Sequence, residues 1–536
     1  MSDDRTRSYW GWGYEEDHPG DERIADLKER LETEFDFPEL DVVDAPELAD
    51  VEVPDPRIDP PADLDFCTQD RRSRVHHTYG DAYRDKVRSL RGDFASAPDV
   101  VARPKSETDV ADLLAWATEA GVAVIPFGGG TSVVGGIEGD VGEGFAGVVS
   151  LDTREMDAIV EVDKQSRRAR IQAGALGPQI QDGLAEYGYQ LRHYPQSYEF
   201  STLGGWIATH AGGHFATDYT HIDDFVENAR MVTPSGTVET REVPRTAAGP
   251  KNNHFILGSE GSLGVITEAW MQVQPRPEGR SRATVHFADF DDAVDATREI
   301  AQARLSPANC RLLDRNESHL FEVAEGDDHL LFLGFESLRE SGSTRENLRQ
   351  ALDICEAYGG ECPRGPIHGD RETDEETPED RWREAFIGAP YVWDALVRMG
   401  VIFDTFETAI TWDRFDDLYQ DIYDGVGEAM EEACGTGHVS CRFTHVYPDG
   451  PAPYFTFMAP AERGNELDQW RQIKRTASDI LEEHGATITH HHAVGRVHQE
   501  WYERETADFQ ASLAAIKDVF DPAGIMNPGV LIDRTE

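Results

Sequence analysis

Lysine is the scarcest charged residue of this chain, and positive charge of any kind is in short supply. The 536 residues include 102 Asp and Glu against 50 Lys and Arg, which gives a formal net charge of −52 at pH 7. Only seven of these cations are lysines. A field of this sign opposes binding to nucleic acid or to an anionic membrane surface. Because the acidic excess is spread along the whole chain, we interpret the composition as that of a halophilic protein.

Long apolar runs and paired cysteines are also absent from the sequence. No stretch reaches the roughly 18 to 20 apolar residues that cross a membrane as a helix. The N-terminus, MSDDRTRSYW, lacks the apolar segment of a secretory signal. The six cysteines form no C-x-x-C pair, which is typical of a reducing compartment. We therefore expect a cytoplasmic protein, and its length predicts two or more domains.

Glycine, in contrast, is concentrated in a few stretches of the sequence. The first of these stretches follows a predicted helix and a predicted strand. The helix is predicted from Ser106 to Gly121, because a capping residue, early acidic residues and a terminal glycine bound it. A β-prone run then leads into I-P-F-G-G-G-T-S-V-V-G-G, residues 125–136. Consecutive glycine N–H groups can form a cradle for anionic oxygens, because no Cβ keeps a ligand away from the backbone.

Two further stretches share this composition and alternate with predicted strands. They are P-Q-S-Y-E-F-S-T-L-G-G-W-I-A-T-H-A-G-G at 195–213 and L-G-S-E-G-S-L-G-V-I at 257–266. One such stretch is compatible with a plain turn, but three predict one large phosphate-bearing cofactor along the edge of a sheet. The G-x-G-x-x-G fingerprint of a Rossmann nucleotide site is absent, so a different fold is expected.

These motifs resemble those of a known family, the FAD-linked oxidases of the vanillyl-alcohol-oxidase type. Within it, the alkyldihydroxyacetonephosphate (alkylglycerone-phosphate) synthases are the most similar. Besides the glycine stretches, the resemblance rests on W-G-W-G-Y at 10–14, F-E-T at 406–408, T-H-H-H-A-V-G at 489–495 and D-P-A-G-I-M-N-P-G at 521–529.

The resemblance implies an α+β fold with a two-subdomain FAD-binding domain and an α+β cap, the FAD-linked oxidase C-terminal domain. We expect an N-terminal helical and extended segment at 1–94, the FAD-binding domain at 95–275 and the substrate-binding cap at 276–488. Residues 489–536 are then expected to pack back on the FAD domain. The family often dimerises, which is the basis for expecting a homodimer.

The resemblance also assigns roles in binding FAD, and we expect a non-covalent cofactor because the first glycine stretch has no histidine or cysteine placed to link it. The residues assigned to the pyrophosphate are Gly128, Gly129, Gly130, Thr131 and Ser132, and the neighbouring Pro126 is also assigned to the cofactor. Those assigned to the flavin and ribityl side are Ser197, Ser201, Thr202, Gly205 and Thr209. Those assigned to the adenine half are Glu260, Gly261, Gly264 and Val265.

Tyr454, His491, His492 and Arg311 match residues that act on the substrate in the synthases. The implied reaction is a non-redox exchange at the flavin, in which a base removes a proton beside a ketone. Tyrosine and histidine suit that proton transfer, and Arg311 suits a phosphate or carboxylate. One residue departs from the pattern: Trp393 stands where the synthases are expected to carry an arginine.

A second interpretation is an FAD-dependent 2-hydroxyacid dehydrogenase of the D-lactate or glycolate type, which belongs to the same superfamily. His438 and His445 have the spacing of its metal ligands, and with His491 they could hold a divalent ion. Residues seven apart on a strand face opposite sides, so a turn or bulge would be needed. The alternative, which we favour, is that only His445 lines the pocket, His438 is a surface residue and no metal binds. A third interpretation is a flavin-binding subunit without turnover.

Overall fold

The computed structural model describes residues 5–323, 326–338, 342–369 and 377–532. The helices are α1 Asp21–Glu34, α2 Arg71–His76, α3 Tyr83–Leu90, α4 Glu107–Ala120, α5 Gly177–Ala185, α6 Leu203–Thr209, α7 Phe290–Gln302, α8 Arg315–Leu320, α9 Ser343–Ala357, α10 Pro378–Arg398, α11 Trp412–Cys434, α12 Glu466–Glu483, α13 Gln499–Glu505 and α14 Ala507–Phe520. Over these ranges, no helix is both long and apolar enough to span a bilayer.

Within the described residues, the strands form four sheets. They are β1 Cys67–Thr68, β2 Val100–Ala102, β3 Ala123–Phe127, β4 Val148–Asp152, β5 Ile159–Asp163, β6 Arg168–Gln172, β7 Tyr189–Gln190, β8 Val226–Thr233, β9 Gly236–Glu239, β10 Val265–Gln272, β11 Gln274–Pro275, β12 Gly279–Phe287, β13 Asn309–Leu313, β14 His329–Ser337, β15 Ile367–His368, β16 Val401–Glu407, β17 His438–Val446 and β18 Pro451–Pro460. The expected α+β class is confirmed.

The first sheet has the order β1-β2-β4-β3, with β2, β4 and β3 parallel. Helix α4 packs on it, and both ends of α4 are capped as the sequence predicts. Ser106 and Asp109 form a capping box, and Gly121 ends the helix at φ +65°. Strand β3 is buried and ends at Phe127, so the first glycine stretch begins at the carboxyl edge of a parallel sheet.

The second sheet is antiparallel, with the order β5-β6-β10-β8-β9. Helices α5 and α6 contribute Leu184 and Leu203 to its core. The chain end returns to this part of the molecule: Val530 and Leu531 lie in the same core, and Met526 forms a parallel bridge with Val124 of β3. The last motif of the sequence therefore packs between the first two sheets.

The largest sheet is antiparallel and has the order β15-β12-β14-β13-β17-β18-β16. Helices α7, α9, α11 and α12 bury apolar residues against it. Glu407 of β16 lies opposite Tyr454 of β18, and Tyr454 lies opposite Arg442 of β17. Cross-strand partners project from the same face of a sheet, so these three polar side chains form a row on one face.

Candidate active site

One large cavity lies where the three glycine-rich stretches meet strands β13, β16, β17 and β18. Every residue for which the sequence predicts contact with FAD lines it, from Pro126 in the first stretch to Val265 in the third. The four residues assigned to the substrate line it as well: Arg311, Tyr454, His491 and His492. The fold thus brings residues that are far apart in the sequence to one place.

The first glycine stretch fits a phosphate-bearing group. The backbone N–H groups of residues 129–133 donate to no acceptor within the described residues, although they border the cavity. A Cβ on Gly129 would lie 1.8 Å from the carbonyl oxygen of Phe200, and one on Gly128 would lie 2.3 Å from Oγ1 of Thr202. The glycines let this stretch pack against the second one and leave its N–H groups free for an anion.

The second glycine stretch contains helix α6, which its glycine-rich composition hides. Thr202 caps the helix by accepting the N–H of Gly205 at 3.2 Å. The hydroxyl of Ser201 donates to the carbonyl of Ser197 and accepts the indole N–H of Trp206 at 2.7 Å. Three of the four predicted cofactor hydroxyls in this stretch are therefore held by the chain itself, since Thr209 donates to the carbonyl of Gly205.

The third stretch is fixed by Glu260, whose carboxylate accepts the backbone N–H groups of Val494 and Gly495, each at 2.8 Å. Asn527 donates to the carbonyl of Glu260 at 2.7 Å and to that of Gly136 at 2.9 Å. Burial raises the pKa of Glu260 to about 7, although the two N–H groups act in the opposite direction. This carboxylate connects the third stretch to the histidine motif, T-H-H-H-A-V-G at 489–495.

Arg311 brings an unpaired positive charge into the cavity. Its side chain is 3% exposed, and its Nε and Nη1 atoms have no hydrogen-bond acceptor. Its remaining nitrogen donates only to the carbonyl of His214, at 3.5 Å. Burial and the nearby Arg442 lower the pKa of Arg311 to about 9. A buried guanidinium with free donors is suited to bind an anion.

Tyr454 stands beside a second buried cation, Arg442. Its hydroxyl donates to Oγ1 of Thr405 at 3.0 Å, and the guanidinium of Arg442 lies 3.8 Å from the ring centroid. Arg442 is itself paired with the buried Glu317. Burial raises the pKa of Tyr454 to about 12, although Arg442 acts to lower it. The phenol is therefore neutral around pH 7; its proton is donated to Thr405, and its oxygen can accept a hydrogen bond from a ligand.

The histidine motif lies on the other side of Tyr454 and is wrapped around Glu407. The ring of His491 is stacked on that of Tyr454 with centroids 5.8 Å apart, and the ring of His492 meets it edge-on at 5.3 Å. Glu407, which is 2% exposed, accepts the backbone N–H groups of His490, His491 and His492. This carboxylate shapes the turn that presents the two rings.

The two histidines of the metal-binding alternative are separated by the structure. His445 lines the cavity, whereas His438 begins the same strand and packs against Phe35 with ring centroids 5.1 Å apart. Seven residues of strand span roughly 23 Å, so these two rings cannot share an ion. A bulge at Phe443–His445 does occur, and it turns Thr444 and His445 toward the cavity together. Nitrogens of His445, His490 and His491 come within 4.8 Å of one another.

Several residues in or beside the cavity have no catalytic or binding role assigned from the sequence. Arg442 lies in G-H-V-S-C-R-F-T-H, where the histidine spacing is the recognisable pattern, and Glu407 lies in F-E-T, a motif without an assigned function. Trp12 of the N-terminal aromatic cluster also lines the cavity, and its backbone N–H donates to the carboxylate of Asp394 at 2.7 Å. Trp393 lines the cavity with an indole nitrogen that has no acceptor. The order of the strands, which sets these positions, has no local signal.

Comparison with protein-family models gives two matches. The "FAD binding domain" model covers residues 98–241, and the model "FAD linked oxidases, C-terminal domain" covers residues 276–531. Residues of both matched regions line the cavity, together with residues of the segment that joins the two regions. The free N–H groups of the first glycine stretch agree with a phosphate-bearing cofactor, so sequence, geometry and family models all indicate FAD.

Individual relatives agree with the models. The chain is 31% identical over 487 residues to alkyldihydroxyacetonephosphate synthase of Dictyostelium discoideum, covering 87% of this chain and 79% of the relative. A solved alkyldihydroxyacetonephosphate synthase structure superposes with a TM-score of 0.80 at 26% identity, covering 97% of this chain and 98% of that one. D-lactate dehydrogenase of Archaeoglobus fulgidus is 26% identical, over 85% of this chain and 96% of the relative.

Proposed function

The chain belongs to the alkyldihydroxyacetonephosphate synthase family of FAD-linked oxidases, and on that premise we propose that it acts on a small anionic substrate held by Arg311 beside FAD. The observation that carries this proposal is the unpaired guanidinium of Arg311, which is buried in the wall of the cavity. Leaving a charge buried and unpaired is costly, and a phosphate or carboxylate of the substrate would satisfy it.

FAD would be held non-covalently by the residues of the three glycine stretches. The free N–H groups of residues 129–133 suit the pyrophosphate, and Ser197, whose hydroxyl has no partner within the described chain, suits the flavin side. When bound, FAD supplies a ring that can take up either a carbon group or a hydride of the substrate. Which of the two occurs depends on the groups around the substrate.

The reaction that we propose first is an alkyl exchange like that of the synthases, on a phosphate-bearing acyl ester of dihydroxyacetone. Arg311 would orient the anionic group, and Tyr454, His491 and His492 would move the proton beside the ketone. Support comes from the arrangement of these four residues around one cavity and from the similarity to the synthases over most of the chain.

Trp393 favours a second candidate, oxidation of a 2-hydroxyacid. Because an indole stands in the cavity wall where the synthases are expected to have an arginine, Arg311 is the single guanidinium there that lacks an anionic partner among the described residues. One unpaired guanidinium suits one carboxylate better than a doubly charged phosphate. The same proton-transferring residues would serve the hydroxyl group of such a substrate.

Anaerobic mixing with candidate substrates at high salt distinguishes the two reactions. Bleaching of the yellow flavin by a 2-hydroxyacid would support oxidation. Alkyl exchange on acyl-dihydroxyacetone phosphate, without bleaching, would support the synthase reaction. A flavin-loaded protein that does neither with any small anion would contradict the proposed function and leave the flavin-binding subunit as the remaining interpretation.

A cytoplasmic location, a halophilic source and a homodimer complete the proposal. All six cysteines are free thiols in the structure, which supports a reducing compartment. Light scattering of the purified protein in concentrated KCl would test the homodimer, because it measures the mass of the particle directly.

A further inference from the structure

The carboxylate of Glu407 is enclosed by the backbone of the histidine motif. Thr489 donates its hydroxyl to this carboxylate at 2.6 Å, and the N–H of His490 donates at 2.7 Å. The N–H groups of His491 and His492 follow at 3.2 and 3.0 Å. So many donors on one carboxylate stabilise its charged form. Burial by itself would raise the pKa of Glu407, but the neighbouring histidines lower it well below its usual range.

This negative charge lies next to one ring nitrogen of His491. The Nδ1 atom of His491 is 3.3 Å from Oε2 of Glu407 and 3.2 Å from Nδ1 of His490. If Nδ1 of His491 carried no proton, its lone pair would face the carboxylate oxygen, and the two would repel each other. A proton on Nδ1 turns the same contact into a charge-assisted hydrogen bond.

The surroundings of His490 agree with this assignment. Its Nε2 atom lies 2.8 Å from the hydroxyl oxygen of Tyr447. With a proton on Nε2, His490 donates to Tyr447 and offers the lone pair of Nδ1 to His491. The N–H on Nδ1 of His491 then has two acceptors, Glu407 and His490, and no two lone pairs oppose each other.

The opposite nitrogen of His491 is left free. Its Nε2 atom has no hydrogen-bond partner among the described residues, and its ring lines the cavity. Besides Glu407 and the flanking histidines, its titratable neighbours are Tyr454, stacked on the ring, His445, whose centroid is 5.8 Å away, and His221, which lies within electrostatic range. His492 lacks the same support, because its Nδ1 atom is 3.7 Å from Glu407, beyond hydrogen-bond distance.

We propose that Glu407 is a positioning residue that holds His491 in its Nδ1–H tautomer, so that Nε2 of His491 is the atom that accepts the substrate proton. This inference rests on the proposed function. The bond between the substrate atom and its hydrogen breaks, the proton moves to Nε2, and the electron pair stays on the substrate. The imidazolium that forms is stabilised by the negative charge of Glu407, and it later returns the proton.

The tautomer can be measured without any substrate. FAD-loaded protein with ¹⁵N-labelled histidine would be studied by NMR, and the signals of His491 would be identified by their loss in a His491→Gln variant. We expect a protonated Nδ1 and an unprotonated Nε2. The reverse tautomer in the unaltered protein would overturn the inference, whether or not a substrate for the enzyme is known.

Two variants separate the charge of Glu407 from its structural contacts. Glu407→Gln removes the charge at nearly constant size, and we expect it to retain FAD while turnover falls by about 100- to 10,000-fold. Thr489→Val removes one hydrogen bond from the same carboxylate and keeps its charge, so we expect a loss below about tenfold. Unchanged turnover in FAD-loaded Glu407→Gln, or an equal loss in both variants, would overturn the assignment. If Glu407→Gln does not fold, the tautomer of the unaltered protein still decides.

Discussion

The guanidinium of Arg311 is a buried positive charge that has no anionic partner among the described residues. Its side chain lies among Trp382 and Phe386, with the guanidinium carbon 5.7 and 5.6 Å from their ring centroids. These aromatic faces offset part of the cost of burying the charge, but they leave two donor nitrogens, Nε and Nη1, without acceptors. The binding role proposed for Arg311 would therefore be obtained at the expense of stability.

Substitution of Arg311 by methionine tests this conflict. Because an unpaired buried charge disappears, we expect the free energy of unfolding of the substrate-free protein to rise. We expect kcat/KM to fall about 100-fold, since charge-assisted hydrogen bonds to the substrate are lost. The exposed Arg349→Met is the matched control, because Arg349 pairs only with surface carboxylates of α9. A lower stability and an unchanged kcat/KM in Arg311→Met would contradict the binding role.

Gly129 is limited by contact, not by backbone conformation. An alanine Cβ there would collide with the carbonyl oxygen of Phe200 at 1.8 Å, so the first two glycine stretches would have to separate. We expect Gly129→Ala to weaken FAD binding at least about tenfold, in line with the usual cost of overpacking. The ratio of flavin to protein absorbance after gel filtration measures this loss.

Gly427→Ala provides the comparison for Gly129→Ala. Gly427 lies within α11 and has open space where a Cβ would be placed. Alanine is favoured over glycine inside a helix by roughly 0.5–1 kcal/mol, so this variant should keep its FAD and be slightly more stable. Equal FAD retention in the two variants would show that the close approach at Gly129 is not required.

At the scale of elements, the segment 489–495 is held from two sides. Glu407 at the end of β16 binds its first half, and Glu260 of the third glycine stretch binds Val494 and Gly495. The first carboxylate comes from the sheet that carries Arg311 and Tyr454, and the second comes from the FAD side. The position of the catalytic histidine candidates therefore depends on both halves of the cavity.

Glu260 makes this link sensitive to pH. Burial raises its pKa from 4.5 to about 7 in the folded protein. A raised pKa means that its contribution to stability is fully present below pH 4.5 and is lost as the pH rises through about 7. The size of the change is roughly 3 kcal/mol at most. We expect urea unfolding to show this decline in the unaltered protein and a flatter pH profile in Glu260→Gln. If the stability of both proteins changed with pH in parallel, the raised pKa of Glu260 would be refuted.

At the scale of the whole molecule, the net charge of −52 sets the conditions for folding. Repulsion between exposed carboxylates acts over the Debye length, which is about 10 Å at 0.1 M salt and about 3 Å at 1 M. We expect the midpoint of thermal unfolding, followed by circular dichroism, to rise as KCl is increased from roughly 0.1 to 1 M. A midpoint that stays constant in KCl would contradict the halophilic interpretation, and sucrose at equal osmolarity controls for exclusion effects.

Local chemistry made several features predictable from the sequence. Helix α4 follows from its capping residues, because Ser106 and Gly121 act on the nearest turn of the chain. The role of the first glycine stretch in holding an anionic group follows from its composition. Several consecutive residues without Cβ atoms leave their backbone N–H groups open to a ligand. The motif resemblance added the α+β class and FAD, which the family models and relatives confirm.

By itself, then, the sequence determined the ends of helix α4 and the place of the glycine stretches, because short-range sterics and hydrogen bonding decide both, and its motifs indicated the cofactor through their resemblance to a family. Only the tertiary structure decided which polar groups meet. Glu407 reaches His491 across 84 positions of sequence, and Arg442 is brought beside Tyr454 by strand pairing. His438 is carried away from His445 by the length of the strand they share. Such contacts depend on strand order and register, which are properties of the assembled sheet and not of any one segment.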